Sequence, residues 1–303
     1  MTSSNWNGGI GRKVEQGMSV SDMLKAANMD YTVKLSDIRF GDFGELSSDS
    51  KKVAYRSDTN ALIDLYTNRK PLQNDQMVQL FQDFLNVAGL SITEIGSFDN
   101  GNSLWVSADL PVEYDWNVRA VGDITRSKLV LSDSHLNGRG MEVYTWSNRL
   151  VCTNGLTNKV NSKVAVITHS GGIDTAVVKT VLTGALRGLK LKGEIYETLA
   201  GVPMSVEEMT FNLINTLGDP DKPLDDQREV VKLAVKSFSG EGAGSEMMSA
   251  YNTAYGALQA VLDVYSNKTR TESAESRFAS ILRGDYAKKS REFERQLVSV
   301  YAR

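Results

Sequence analysis

The chain has 303 residues, of which 41% are apolar and 23% are charged, and such a chain is able to bury a sizeable core. This composition excludes a disordered chain, a collagen and a coiled-coil rod as descriptions of the whole protein. The formal net charge of −3 gives no overall preference for a polyanionic partner. A single cysteine, Cys152, excludes an internal disulfide and a metal site of four thiolates, and it favours a reducing compartment.

Neither a signal peptide nor a membrane span is predicted. Residues 1–20 lack the apolar core of a signal peptide, and no run of about 18 apolar residues follows them. The glycine- and asparagine-rich stretch 1–19 is predicted to be a mobile N-terminal arm. We therefore expect a cytoplasmic protein that does not interact with membranes.

The first half of the chain begins with short elements. Residues 20–28 are predicted to form a helix, and Tyr31 and Val33 alternate with polar residues as in a strand. The clearest helix of this half is predicted over 75–88, where apolar residues recur at intervals of three and four and Gly89 can end the last turn. The apolar face of this helix is predicted to belong to the core.

Strands follow this helix. From residue 92 to 168 the hydrophobic period changes to two, which is typical of strands with one buried face. Asn-Gly pairs and an Asp-Asn-Gly tripeptide separate the apolar segments as turn signals. The pattern predicts an antiparallel meander of four or five strands that ends with 163–168. Residues 150–160 are expected to form either a short helix or a loop.

The remainder of the chain is predicted to be helical. Helices are expected over 173–190, 205–217, 225–238, 247–266, 271–282 and 285–301. The fold class is therefore α+β, an antiparallel β-meander flanked by helices with a mostly helical C-terminal half. We expect an α+β core at 20–190, an acidic helical region at 191–245 and C-terminal helices packed on the core at 246–303.

Positive charge is concentrated in one part of the chain. Residues 119–190 carry ten basic and four acidic residues, whereas 1–118 and 191–250 each have a net charge of −6. Cationic side chains can neutralise successive phosphates, and an exposed aromatic ring offers a stacking surface for a base. The candidate nucleic-acid-binding residues are Arg126, Lys128, Arg139, Arg149, Lys159 and Lys163, with Tyr144 as a stacking residue. The alternative is a solvated sheet edge protected by Lys and Arg, with aromatic residues that face the core.

The two histidines, His135 and His169, do not form a recognisable metal motif. No H-x-x-x-H or H-x-E spacing occurs at either position. We predict structural histidines, no bound metal or other cofactor, and no enzymatic activity. A metal-dependent nuclease that uses both histidines with Asp133 or Asp174 stays open as an alternative.

A series of segments follows a characteristic order along most of the chain, roughly from 15 to 300. The segments are PLQNDQMVQLFQDFL (71–85), NSLWVSADLP (102–111), KLVLSDSHLNGRG (128–140), RLVCTNGLT (149–157), ITHSGG (167–172), NTAYGALQAVLDVYSN (252–267) and RFASILRGDYAKKSREF (277–293). The series resembles the phage/plasmid-like proteins, which form the domain of unknown function nine-thirty-two. This resemblance implies a setting in the DNA metabolism of mobile elements.

The order of a helix, an antiparallel meander and a second helix also resembles the Rad-fifty-two type of single-strand annealing protein. That resemblance implies ring assembly, with DNA bound along a basic groove. We therefore predict a single-stranded DNA-binding and strand-annealing protein of a phage or mobile element, which acts in the host cytoplasm without ATP. Its expected partners are single-stranded DNA and further copies of the chain.

Self-association is predicted from apolar stripes in 247–301, at Leu258, Val261 and Leu262 among others, which exceed one packing face. The alternative is that these stripes pack within their own chain. A different function also stays open, namely a host-interaction or anti-defence protein whose acidic region 191–250 contacts a host factor without binding nucleic acid.

Overall fold

The computed structural model describes residues 9–67, 70–137, 139–150, 155–159, 175–269 and 273–302. In these ranges the chain forms two antiparallel sheets, and helices dominate from Thr175 onward. The α+β class with a helical C-terminal half, predicted from the sequence, is confirmed.

The secondary structure consists of ten strands and eight α-helices within the described ranges. The strands are β1 (Gly11–Lys13), β2 (Val33–Phe40), β3 (Leu46–Arg56), β4 (Leu62–Thr67), β5 (Glu94–Phe98), β6 (Ser103–Asp109), β7 (Trp116–Val118), β8 (Asp123–Ser134), β9 (Glu142–Arg149) and β10 (Gly155–Lys159). The helices are α1 (Val20–Ala26), α2 (Asn74–Val87), α3 (Thr175–Ala200), α4 (Val206–Leu217), α5 (Glu229–Lys236), α6 (Ala254–Asp263), α7 (Ala274–Leu282) and α8 (Asp285–Tyr301). Each helix overlaps a segment that the sequence predicts to be helical.

The larger sheet contains the predicted meander. Its strand order is β1-β5-β6-β8-β9-β10, and β7 pairs with a further part of β8. The expectation of a helix or loop is wrong for Gly155–Lys159, which pairs antiparallel with β9 and satisfies backbone groups on the edge of that strand. The strand predicted over 163–168 lies outside the described residues.

Both faces of the larger sheet are covered. On one face, Leu104, Val106 and Leu129 join a hydrophobic cluster that includes the buried residues of α2 and the first half of α3. On the other face, Trp105 and Trp146 join a cluster with the buried side chains of α7. This sheet is therefore the middle layer of the molecule.

The smaller sheet consists of β2, β3 and β4 in sequential order, with a register shift in each pairing. The sequence pattern predicts only the first of these strands. Ala54 and Tyr66 are buried on the face that points to the core, and the Tyr66 hydroxyl donates a 2.6 Å hydrogen bond to the backbone carbonyl of His135.

The C-terminal half packs around α6, in which every residue from Ala254 to Asp263 is buried. The predicted stripes at Leu258, Val261 and Leu262 are buried within this chain at 0–2% exposure. These stripes consequently give no support to self-association, because packing inside one chain already covers them.

Two predicted boundaries differ from the structure. Within the expected mobile arm, Gly11–Lys13 pairs with β5 as an edge strand, whereas residues 1–8 lie outside the described residues. Helix α3 continues to Ala200, beyond the expected end of the α+β core at residue 190. Its second half carries Tyr196 and Leu199 into the cluster formed by α4, α5, α6 and α8.

Candidate functional site: an arginine-lined cleft

A cleft of about 450 Å³ opens between the larger sheet and the last two helices. We call it the arginine cleft, after Arg139 in the β8–β9 loop, Arg283 after α7 and Arg291 in α8. Asp99 from the β5–β6 turn and Asp285 at the start of α8 also line it. The cleft therefore collects side chains from segments that are far apart in the sequence.

Asp99 is the acceptor that organises one wall of the cleft. It stands in a turn whose residues Asp99, Asn100 and Gly101 all have positive φ angles, which shapes a tight connection between β5 and β6. Its carboxylate accepts a 2.6 Å hydrogen bond from the Ser103 hydroxyl, and Oδ2 also accepts hydrogen bonds from Arg139 and Arg283. The turn thereby holds two guanidinium groups side by side.

Arg283 is the most enclosed of the three arginines. Its side chain is 13% exposed, and its guanidinium carbon lies 4.3 Å from the centre of the Phe98 ring. Burial lowers the pKa of this guanidinium, while Asp99 opposes the shift. Because an arginine remains charged at any physiological pH, the group presents a fixed positive charge.

Arg139 and Arg291 are the more accessible cations of the cleft. The Arg139 side chain is 40% exposed while it contacts Asp99 at 3.2 Å. Within the described residues, the Arg291 guanidinium has no carboxylate at ion-pair distance. Arg291 is thus a cation that can accept an external anion without first losing a partner.

The N-terminus of α8 also opens into the cleft. Its N-cap residue, Gly284, has no side chain to cap the helix, and the Ser280 hydroxyl accepts a 3.4 Å hydrogen bond from the Tyr286 N–H. The free N–H groups and the dipole of a helix N-terminus attract anions. The Asp285 carboxylate in the first turn also carries a negative charge near these N–H groups, so it competes with an external anion.

Tyr144, the expected stacking residue, lines the cleft but does not expose its ring. It is 0% exposed, and its hydroxyl donates a hydrogen bond to Glu142. Burial raises the pKa of Tyr144, and the Glu142 carboxylate adds to this shift. Its ring belongs to the core with Trp105 and Trp146, so a stacking role is not available to it in this conformation.

Arg149 is buried at 2% exposure rather than displayed on the surface. Its guanidinium donates two hydrogen bonds to Asp123, at 2.6 and 2.7 Å, and a third to the backbone carbonyl of Gly244 at 3.0 Å. Ser249 donates to the same Asp123 carboxylate at 2.5 Å. The Arg149 guanidinium is therefore paired inside the protein, where it connects the larger sheet to Gly244 in the segment after α5.

Arg126 and Lys128 lie in the first half of β8, close to carboxylates of neighbouring segments. Lys128, whose side chain is 13% exposed, pairs with Asp109 and lies 3.9 Å from Glu94. Arg126 is 61% exposed and lies 4.0 Å from Asp115. The two cations consequently sit in an acidic neighbourhood that offsets their attraction for phosphate.

Of the two remaining predicted lysines, the structure describes only one. Lys159 ends β10 and pairs in register with Tyr144 of β9, and Lys163 lies outside the described residues. Of the seven predicted site residues, the structure brings Arg139 and Tyr144 together in the arginine cleft.

The histidine alternative gains no geometric support. His135 is fully buried, and its Nε2 atom lies 2.7 Å from the side-chain oxygen of Asn74, which also anchors the backbone of Met29 and Tyr31. His169 and Asp174 lie outside the described residues. The described residues contain no group of three potential metal ligands.

Arg283, Arg291 and Asp99 are not among the residues predicted from the sequence. Two signals were present, namely the net charge of +3 over 251–303 and the family segment 277–293, which contains both arginines. The charge excess over 119–190 is the stronger local signal, and the convergence of distant segments at a cleft leaves no local pattern.

The fold and the cleft thus define an α+β protein with a polar, arginine-lined site. The family model described as Domain of unknown function (DUF932) matches residues 67–283, and the chain belongs to this family. The family identified from the sequence segments is therefore confirmed. No curated protein and no solved structure matches the chain.

No helix of the described residues combines the length and the apolar character that crossing a bilayer requires.

Proposed function

We propose that the protein binds single-stranded DNA through the arginine cleft and promotes annealing of complementary strands without nucleotide or metal. The convergence of Arg139, Arg283 and Arg291 at the N-terminus of α8 carries this proposal. Guanidinium groups and free helix N–H groups are both suited to phosphate oxygens. The phosphodiester backbone is the polyanion that suits the phage or mobile-element setting implied by the sequence resemblance.

The size of the cleft favours a single strand. A volume of about 450 Å³ is typical of a small-molecule pocket, and it admits an unpaired nucleotide but not stacked base pairs. Backbone binding leaves the base edges free, which is what annealing requires. We expect Arg291 and Arg139 to contact phosphate first, because Arg283 is enclosed by Phe98 and Asp99.

A fluorescence anisotropy titration with labelled single-stranded DNA, duplex DNA and RNA tests the proposal. If three phosphates are neutralised, log K should fall with log salt at a slope of about −2, at roughly 0.7 per phosphate for single strands. Absence of binding at about 50 mM salt, or binding insensitive to salt, would contradict it.

Matched variants on α8 assign the binding to the cleft. Arg291→Gln should weaken binding by about tenfold, whereas Arg295→Gln, one turn further along the same helix and outside the cleft lining, should change it little. Asp285→Asn should strengthen binding, since it removes a competing carboxylate. Equal losses from both arginine variants would place the DNA elsewhere.

Annealing is tested separately from binding. Complementary strands should anneal in EDTA as fast as in Mg²⁺, and no cleavage products should form in Mg²⁺ or Mn²⁺. Metal-dependent cleavage that His169→Ala abolishes would instead establish the nuclease alternative.

A host-interaction function is the second candidate. The region 191–250 exposes Phe211 at 69% and Met248 at 79%, and Tyr251 follows at 64%, in a segment of net charge −6. Such exposed apolar groups in an acidic surface suit a protein partner. Failure of all three oligonucleotides to bind would leave this function as the stronger one.

A further inference from the structure

The smaller sheet has a second face, which points away from the core and which we call the outer face. The pairing of β3 with β4 puts Val53 opposite Leu65 and Tyr55 opposite Leu62 on this face. Side chains alternate along a strand, so neighbouring positions such as Ala54 point to the core instead.

The outer face continues toward the turn between β2 and β3. The extra residues of the register shift lie in β3, because β2 advances by only two residues between the pairs that flank it. Strand β2 therefore keeps its alternation, which adds Ile38 and Phe40 to the outer face, and Leu46 pairs directly with Phe40.

Four apolar side chains of the outer face are exposed, and Ser36, Lys51 and Thr67 share the face with them. Leu62 is 63% exposed, Leu46 51%, Phe40 50% and Leu65 45%, which shows that no described element lies over them. At roughly 200 Å² for each large side chain, the four together expose about 400 Å² of apolar surface. A standard interface buries about 800 Å² from each partner, a little over half of it apolar. The exposed apolar area of the outer face therefore matches the apolar area that one partner buries in such an interface.

The charges around the outer face are arranged along its length. Lys34 lies on this face near the base of the sheet, and Asp42 lies in the turn at the opposite end. Counted along the chain, both are four residues from Ile38. When two copies pack face to face about a two-fold axis near Ile38, with their strands antiparallel, each Asp42 approaches the Lys34 of the other copy. A second copy thus matches the apolar area and the charges at the two ends of the face. The exposed Lys51, which pairs with Thr67 on the same face near Ile38, adds a positive charge near the axis, and its long side chain must carry that charge out to solvent.

We propose that the outer face is the contact surface of a symmetric dimer of this chain. This dimer does not depend on nucleic-acid binding. Its contacts are made by β2, β3 and β4 and not by the C-terminal stripes, which are buried. Sheets that pack face to face bury their apolar side chains between them, and that arrangement removes this exposed surface from water.

Sedimentation analysis without DNA tests the proposal. The protein should sediment at twice its mass of 33.3 kDa at micromolar concentration and dissociate on dilution. Leu62→Lys should raise the dimer dissociation constant about a hundredfold, whereas Phe211→Lys, a similarly exposed position on α4, should leave it unchanged. A monomer at about 100 μM, or equal losses from both variants, would overturn the proposal.

A charge exchange tests the two-fold arrangement directly. Lys34→Asp and Asp42→Lys should each weaken the dimer about tenfold, and the double variant should restore it, because the two residues meet only across the axis. A double variant that is as weak as the two single changes combined would overturn the arrangement. Circular dichroism must show the native spectrum for each variant.

Hydrogen exchange of the unmodified protein supplies a measurement that no folding defect can disturb. Peptides from 46–67 should exchange more slowly at high than at low protein concentration, whereas peptides from α4 should not change. Exchange that is independent of concentration throughout 46–67 would contradict the dimer. Because DNA is absent from all three experiments, loss of DNA binding would leave their results unaffected.

Discussion

The two sheets of this protein are built from strands of the same kind but differ in how they are covered. The larger sheet is buried on both faces, with Leu104 on one side and Trp146 on the other. The smaller sheet buries Ala54 and Tyr66 on one face and exposes Leu62 and its neighbours on the other. Coverage, rather than strand pairing, therefore decides which apolar residues stabilise the monomer and which are available to a partner.

Truncation of a tryptophan should reveal the largest difference between the sheets. Trp146→Ala removes a ring that stacks on Phe278, with 5.7 Å between the two ring centres. The change should lower the free energy of unfolding by about 3–5 kcal/mol. Urea denaturation monitored by circular dichroism measures the change. A loss below about 1 kcal/mol would show that the second layer over this sheet is loosely packed.

A single added methyl group should have the next largest effect. At Gly96 a Cβ atom would lie 2.7 Å from the Trp105 indole, so Gly96→Ala should cost about 1–3 kcal/mol of stability. Gly188→Ala is the matched control, because a Cβ atom there meets nothing within 4 Å and alanine favours a helix. The same denaturation experiment should show the control to be unchanged or more stable than the parent protein.

The junction between the sheets should contribute a smaller, pH-dependent amount. Arg56 of β3 donates hydrogen bonds to Asp58 and to the carbonyl of Asn100, and its hydrogen bond lowers the pKa of Asp58 to about 2. Because this pKa is depressed in the folded state, its stabilisation is complete above about pH 4 and is lost as the pH falls toward 2.

The Asp58 side chain is 40% exposed, so solvent screening keeps this contribution below about 1 kcal/mol. In Asp58→Asn, the free energy of unfolding should depend less on pH between about 4 and 2 than in the parent protein. Parallel pH profiles for the two proteins would show that the pair does not stabilise the junction.

The outer face should give the smallest effect on the monomer. Leu62→Ser, measured at a protein concentration below the dimer dissociation constant, should change the free energy of unfolding by no more than about 0.5 kcal/mol. A loss near that of Trp146→Ala would mean that part of this chain covers the outer face after all. The difference between the stability losses of the Leu62 and Trp146 variants thus measures how differently the two sheets are covered.

The sequence predicts the larger sheet and the helices well because their patterns are local. The period of 3.6 residues in α2 and the Ser205–Glu208 capping box of α4 are properties of short segments, and the structure has both. The smaller sheet was largely missed for a physical reason. Apolar residues on both faces and two register shifts hide the period of two that identifies a strand.

The candidate site was predictable only in part. Arg139 was found because it belongs to a segment rich in positive charge, and the same reasoning selected Arg149, whose charge is neutralised internally by Asp123. Charge counts along a sequence cannot distinguish an exposed cation from a buried ion pair, because the partner comes from another strand. Arg291 acquires its place at the cleft only when α8 packs against the larger sheet.

Helix α3 has a consequence for how the whole molecule loses its structure. Its 26 residues extend for about 39 Å, with Leu189 in the core under the larger sheet and Leu199 in the core around α6. A buried ion pair between Lys192 and Glu294, at 3.1 Å, connects its second half to α8. Because this one helix belongs to both cores, we expect heat to unfold both cores in one cooperative transition.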